Sequence, residues 1–259
     1  MVGGLIFSLP LLYTMEMWWA GFQLGSVRLL WMLAFTCLLL LAYNTYAGVH
    51  PDETWLGVVI DSVEELGLAL VVSASFLYLL GRIHSGDSVR EVMGKIVVEA
   101  LLIAIGISIG TSQLVREDDD EASAPGRKPK DILGVVSLST CGAVVLATNI
   151  APTDEIVVLA LQSSSWQLLA MVFLSWALCG LIMVFSDLME NRKTSKAPRW
   201  ERYGMGICLT YAVALSCSAT LLFLFGRFDG LAMSTAMALT VVLAVPSSMG
   251  AAAGKLLIR

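Results

Sequence analysis

The chain has 259 residues, 57% of them hydrophobic and 14% charged, with a mean hydropathy of +0.80 and a formal net charge of −5. These values lie outside the range of soluble globular domains and exclude a protein whose solvent is water throughout. The net charge says little about partners, because charges on a membrane chain sort by side.

About 20 apolar residues cross a ~30 Å hydrocarbon layer as a helix, with every backbone polar group satisfied inside the segment. On that measure the sequence predicts eight spans, near 3–24, 28–46, 57–82, 93–114, 132–162, 164–187, 204–226 and 231–256. The first follows Met1 at once with VGGLIFSLPLL, without a basic leader or a small-residue cleavage site, and is expected to be retained as a helix. It carries Thr14 and Glu16 well inside its length. The third holds Asp61, Glu64 and Glu65. Asp61 and Glu64 share a helical face, and Glu65 is offset from Glu64 by about 100°, so one of the pair faces elsewhere. Asp61 is expected near the interface, with Glu64 and Glu65 interior. The fourth span carries Glu99, placed by these limits near its external end and also expected to be interior. The segment VREDDDEASAPGRKPKD (115–131) is the one polar low-complexity stretch and reads as a linker between residues 1–114 and 132–259. The fifth span contains NIAPTDE, where Pro152 removes a backbone donor and frees a carbonyl near Thr148, so a local break is expected.

The seventh span exposes a repeat. ALVVSASFLYLLGR (69–82) returns as ALSCSATLLFLFGR (214–227), identical at eight of fourteen positions. The correspondence extends through all four spans of each half, with an offset of 139 residues over the first two and 144 to 145 over the last two. It aligns Thr14 and Glu16 with Thr153 and Glu155, and Gly106 and Gly110 with Gly250 and Gly254. An even number of spans per half returns the chain to its starting side. The expected fold is therefore an all-α membrane protein of eight transmembrane helices, in two parallel four-helix repeats related by a pseudo-two-fold along the membrane normal. The alignment places Met1 opposite Thr140, which makes the first helix short or its start upstream. With these spans, eleven of the sixteen Lys and Arg residues fall on the side of the termini, predicting a multi-pass inner-membrane protein with both ends cytoplasmic.

Charge in mid-bilayer costs roughly 2.5 kcal/mol upward, and such acids usually face a bundle interior or a water path. Glu16 and Glu155, at matching positions of the two halves, are the leading candidates for binding an ion or proton. Thr14, Thr153, Asp154 and Asn149 would supply further oxygens. Such a cluster suits a cation, or a proton held between coupled acids. Glu64, Glu65, Glu99 and Asp61 form a secondary relay group without counterpart in the second half, where Leu209, Thr210, Leu243 and Gly206 align. The alternative is that these acids are interhelical hydrogen-bond glue in a non-transporting scaffold or sensor. The five cysteines show no CxxC spacing, and there is no HExxH, GxSxG or phosphate-binding glycine loop. Hence no enzyme activity, cofactor or nucleic-acid partner is expected. The sequence leaves the metal unknown. The partners expected are the bilayer, a cation or proton, and, left open, further copies of the chain.

The opening GGLIFSLPLLYTMEMWWAGF together with NIAPTDEI resembles a bacterial family of integral membrane proteins catalogued as a domain of unknown function. The likeness covers essentially the whole chain. It implies a multi-spanning inner-membrane protein, usually with extra residues before the GGL, and brings no assigned activity.

Overall fold

The computed structural model describes residues 2–48, 54–119, 132–189 and 199–254. All regular structure among them is helical: α1 (Val2–Leu12), α2 (Met15–Gln23), α3 (Ser26–Ala47), α4 (Trp55–Leu79), α5 (Val89–Asp119), α6 (Ile132–Thr148), α7 (Glu155–Gln162), α8 (Ser165–Met189), α9 (Arg199–Leu224) and α10 (Met233–Gly254). Five helices, or segments of them, are long and apolar enough to cross a membrane: α3, Val89–Ser112 of α5, Ser165–Phe185 of α8, Gly204–Leu224 of α9, and α10. The three acids of α4 lower its hydropathy, and α6 is apolar but shorter.

The spans expected at 3–24 and 132–162 are each two helices, not one. The first breaks at Tyr13–Thr14, three residues after Pro10. Thr14 takes an extended backbone, and both its amide and its hydroxyl donate to the Leu11 carbonyl, at 2.9 Å each. The indole of Trp18 reaches back to the Leu12 carbonyl at 3.1 Å, satisfying a group the break leaves without a helical partner. The second break runs from Asn149 to Asp154, at the place Pro152 marks. The expected linker also begins later: residues 115–119 continue α5, and 120–131 lie outside the described residues.

Helix ends follow local chemistry. Ser88 accepts the Glu91 amide at the start of α5, and Ser164 exchanges hydrogen bonds with Gln167 at the start of α8. At the end of α4, Gly81 adopts φ +64°, the Gly81 amide bonds the Tyr78 carbonyl and the Arg82 amide bonds Leu77, a Schellman closure. Gly226, the glycine of the second Gly-Arg, has φ +71° just past α9. The repeated dipeptide is thus a helix stop, requiring a residue without Cβ.

The helices cluster into two units, one built on α1–α5 and the other on α6–α10. In the first, α5 is central and packs against α1, α2, α3 and α4. Glycine permits the closest approaches: a Cβ on Gly94 would strike the Gly21 carbonyl, and one on Gly21 would lie 2.5 Å from the Lys95 nitrogen. In the second, α10 packs against α6, α7 and α8, and its Ser247 hydroxyl donates to the Ala214 carbonyl of α9. Gly142 of α6 meets Gly250 and Gly254 of α10 backbone to backbone.

Candidate functional site

The side chains that converge most clearly lie inside the α1–α5 unit. Asn44, near the end of α3 and 7% exposed, ties three helices together. Its amide donates to Ser62 Oγ at 3.1 Å and to Glu65 Oε2 at 2.8 Å on α4, and its carbonyl accepts from Ser108 Oγ of α5 at 2.8 Å. Tyr43 and Ser112 pair beside it at 2.7 Å. Glu65 therefore points inward, with Asp61 one turn before it on the same helix and electrostatically in reach. Glu64 is exposed, contrary to the sequence expectation. Its 100° offset from Glu65 turns it off the face that Asn44 and Ser108 occupy.

Glu99 differs from every other acid on the described residues. It is 1% exposed, and neither carboxyl oxygen has a hydrogen-bond partner. Because α5 begins at Val89 and not near residue 93, Glu99 lies ten residues into the helix, about 15 Å along its axis. That is mid-span rather than the end. One turn toward the start, Lys95 is also buried, at 7% exposure, and its ammonium is fully engaged. It contacts Glu91 Oε1 at 2.7 Å, Asp87 Oδ2 at 3.2 Å and the Arg82 carbonyl at 2.9 Å. Asp87, in the α4–α5 connection, is held below the ordinary carboxylate range by the His84 backbone N–H it accepts and by Lys95. Arg82 stacks over Trp18 of α2, 4.0 Å from the ring centroid.

Between Glu99 and the Asn44 network lies an apolar layer. Leu40 of α3, Ala69 and Val72 of α4, and Ala100, Ile103 and Ile107 of α5 form one buried cluster. From Glu99 to Ser108 is nine residues of α5, about 13 Å. The unit's interior is thus polar at both ends and apolar between.

The paired Thr-x-Glu motifs sit at the two helix breaks. Thr153 repeats the bonds of Thr14, amide and hydroxyl both donating to the Ile150 carbonyl, at 3.0 and 2.9 Å. Glu16 is half-buried in the first turn of α2, and Glu155, exposed, opens α7. An acid in a helix's first turn is stabilised by its unpaired amides and dipole, which supplies a structural reason for both. Asp154 is exposed and precedes α7. Asn149 donates to the Val145 carbonyl at 2.6 Å, while its side-chain oxygen is buried without a partner, as is the Thr148 hydroxyl.

Sequence reasoning missed Asn44, Ser108 and Lys95. The signal for Lys95 was present in the i, i+4 spacing of Glu91, Lys95 and Glu99, which puts all three on one face of α5. That for Asn44 was an uncapped amide inside an apolar span. No three His, Cys, Asp or Glu side chains cluster to hold a metal among the described residues.

The model of a family described as "Putative integral membrane protein (DUF2391)" matches residues 1–258. No curated protein and no solved structure matches the chain.

Proposed function

The chain belongs to this family of integral membrane proteins, and from that premise we propose that it is a cation- or proton-handling channel or carrier of the bacterial inner membrane, not an enzyme. The observation that carries the reading is Glu99, an acid enclosed at mid-helix with no partner for either oxygen. An ionised carboxylate in such surroundings costs several kcal/mol unless a proton or cation accompanies it. An acid that served only as glue would be bonded to a neighbouring helix.

We further propose eight crossings in two parallel repeats, the α1–α2 and α6–α7 pairs each crossing once as a broken helix. Support comes from helix limits that recur at the sequence offsets. Ser26 and Ser165 open α3 and α8, Leu79 and Leu224 close α4 and α9, and Val89 and Met233 begin α5 and α10. Broken helices in transporters commonly present backbone oxygens to an ion. Glu16 and Glu155, with Thr14, Thr153, Asp154 and Asn149, therefore stay in the proposal as a second, paired set. By the Lys and Arg distribution the α4–α5 connection faces outward and both termini face the cytoplasm.

The test is flux in liposomes containing the purified full-length chain. Proton or monovalent cation movement above protein-free liposomes is expected, reduced at least tenfold in a Glu65→Gln, Glu99→Gln double variant. Absence of flux for protons, monovalent and divalent cations would overturn the reading. A scaffold is the second reading. It is favoured by the Asn44 network, whose amide and carbonyl oxygen are all bonded and so behave as interhelical glue.

A further inference from the structure

We propose that Glu99 is a proton-binding site whose alternative partner is Lys95, so that loss of the proton draws the lysine away from Asp87 and Glu91. The inference deepens the function proposed above by naming the proton as the species held at this site.

Glu91, Lys95 and Glu99 are successive i, i+4 positions on one face of α5. Long helical side chains lean toward the helix start, so Glu99 leans over the turn that bears Lys95, and Lys95 over the turn that bears Glu91. The ammonium is bound on the Glu91 side, between two carboxylates and a carbonyl, and Glu99 is left without a donor. That distribution fits a neutral carboxylic acid, since an anion one helical turn from an ammonium in a low-dielectric interior would compete for it. Removing the proton makes that competition real. A change of lysine rotamer then neutralises Glu99 and leaves Asp87 and Glu91 without their shared cation, which loosens the α4–α5 connection they anchor. Rebinding a proton reverses both steps. The only transfer is H⁺ between Glu99 and water reaching it from that connection, so charge and atoms balance.

Other groups could compensate for the charge on Glu99. On the elements packed against α5, the titratable side chains are Glu16 of α2, Arg28, Cys37, Tyr43 and Tyr46 of α3, and Asp61, Glu64, Glu65 and Tyr78 of α4. α1 carries none. Glu64 and Tyr78 are exposed, and Glu65 is committed to Asn44 beyond the apolar layer. Lys95, one turn away, is the nearest cation along the helix.

The experiment is infrared titration of the full-length protein in lipid, following the carbonyl stretch of protonated carboxylic acids, with proton and cation flux measured on the same samples. A protonated-acid band present at neutral pH and absent from Glu99→Gln is expected. In Lys95→Met the band should persist about 1 to 3 pH units higher, because the opposite charge that favours ionisation is gone. Lys95→Arg should restore most of that shift. A wild-type spectrum indistinguishable from Glu99→Gln, or a titration unmoved by Lys95→Met, overturns the proposal. The band can be read on wild type whatever the variants do. If the band behaves as expected but no ion moves, the proton site stands and the transport reading fails. If cations move equally in wild type and Glu99→Gln with no band, transport stands and this inference fails.

Discussion

The α1–α5 and α6–α10 units order their helices alike but fill their interiors differently. In the first, the central helix carries Glu91, Lys95, Glu99 and Ser108. At the aligned positions of α10 stand Thr235, Leu239, Leu243 and Ala252. Asn44, which joins three helices in the first unit, aligns with Met183, which packs its methyl against Gly206. The buried oxygens without partners differ in kind. Among the described residues of the first unit they are the two of Glu99. Among those of the second they are the neutral oxygens of Ser139, Thr148, Asn149, Tyr211 and Ser218. Among the described residues both units hold a broken helix, a stop glycine and a close glycine contact, whereas buried Lys and Glu side chains occur only in the first. Neutral oxygens can be satisfied by a single water, whereas a carboxylate needs a proton or a cation.

Substitutions in the shared frame should have the largest effect on stability, and in both units. Gly142→Val and Gly94→Val each set a side chain against a neighbouring helix backbone, which cannot move aside as a side-chain tip can. Each should cost at least about 3 kcal/mol, seen as a lower unfolding temperature in detergent. A tolerated valine at either position would show that these helices do not need their close contact.

The interiors should then separate. Asn44→Leu removes three hydrogen bonds and leaves Glu65 and Ser108 without that partner, for an expected loss of about 2 to 4 kcal/mol. Met183→Leu, the aligned change in the second unit, exchanges side chains of like volume and should cost less than about 1.5 kcal/mol. Equal losses would mean that the two cores are held by the same forces. Arg82→Ala, which removes the stacking on Trp18, should cost about 0.5 to 1 kcal/mol, with Arg82→Lys recovering part of it.

What could be read from the sequence follows from the range of each force. Membrane character and most helix positions depend on composition and on neighbours a few residues apart, and they were legible. The break at NIAPTDE was legible through Pro152. That at Tyr13–Thr14 was marked only weakly, by Pro10, because Pro10 lies within α1 and the interruption comes later, where Thr14 bonds back to Leu11. The acids were legible as a set but not in orientation. Nothing local distinguishes Glu64 from Glu65, and the choice was settled by Asn44, 21 residues away on another helix. Glu99 stood out only once α5 was seen to start at Val89 and to be enclosed on several sides by α1–α4.

The smallest effect concerns Asp87, and its sign can be worked out. Bonded by the His84 amide and Lys95, its carboxyl holds its charge to lower pH in the folded connection than at its ordinary value of 3.8. As pH falls, the opened chain therefore takes up this proton before the folded one does. The stabilisation is fully present above the ordinary value and is lost as pH drops through and below it. Hydrogen exchange at residues 84–91 should quicken below about pH 4 relative to the buried amides of α10, whose exchange reports global unfolding. In Asp87→Asn the difference between these two regions should no longer depend on pH over that interval. Because the group is near the surface, the change should be small and should shrink in high salt. If Asp87→Asn leaves the acid dependence intact, another group anchors this end of α5, and the lysine exchange proposed for Glu99 must release that group instead.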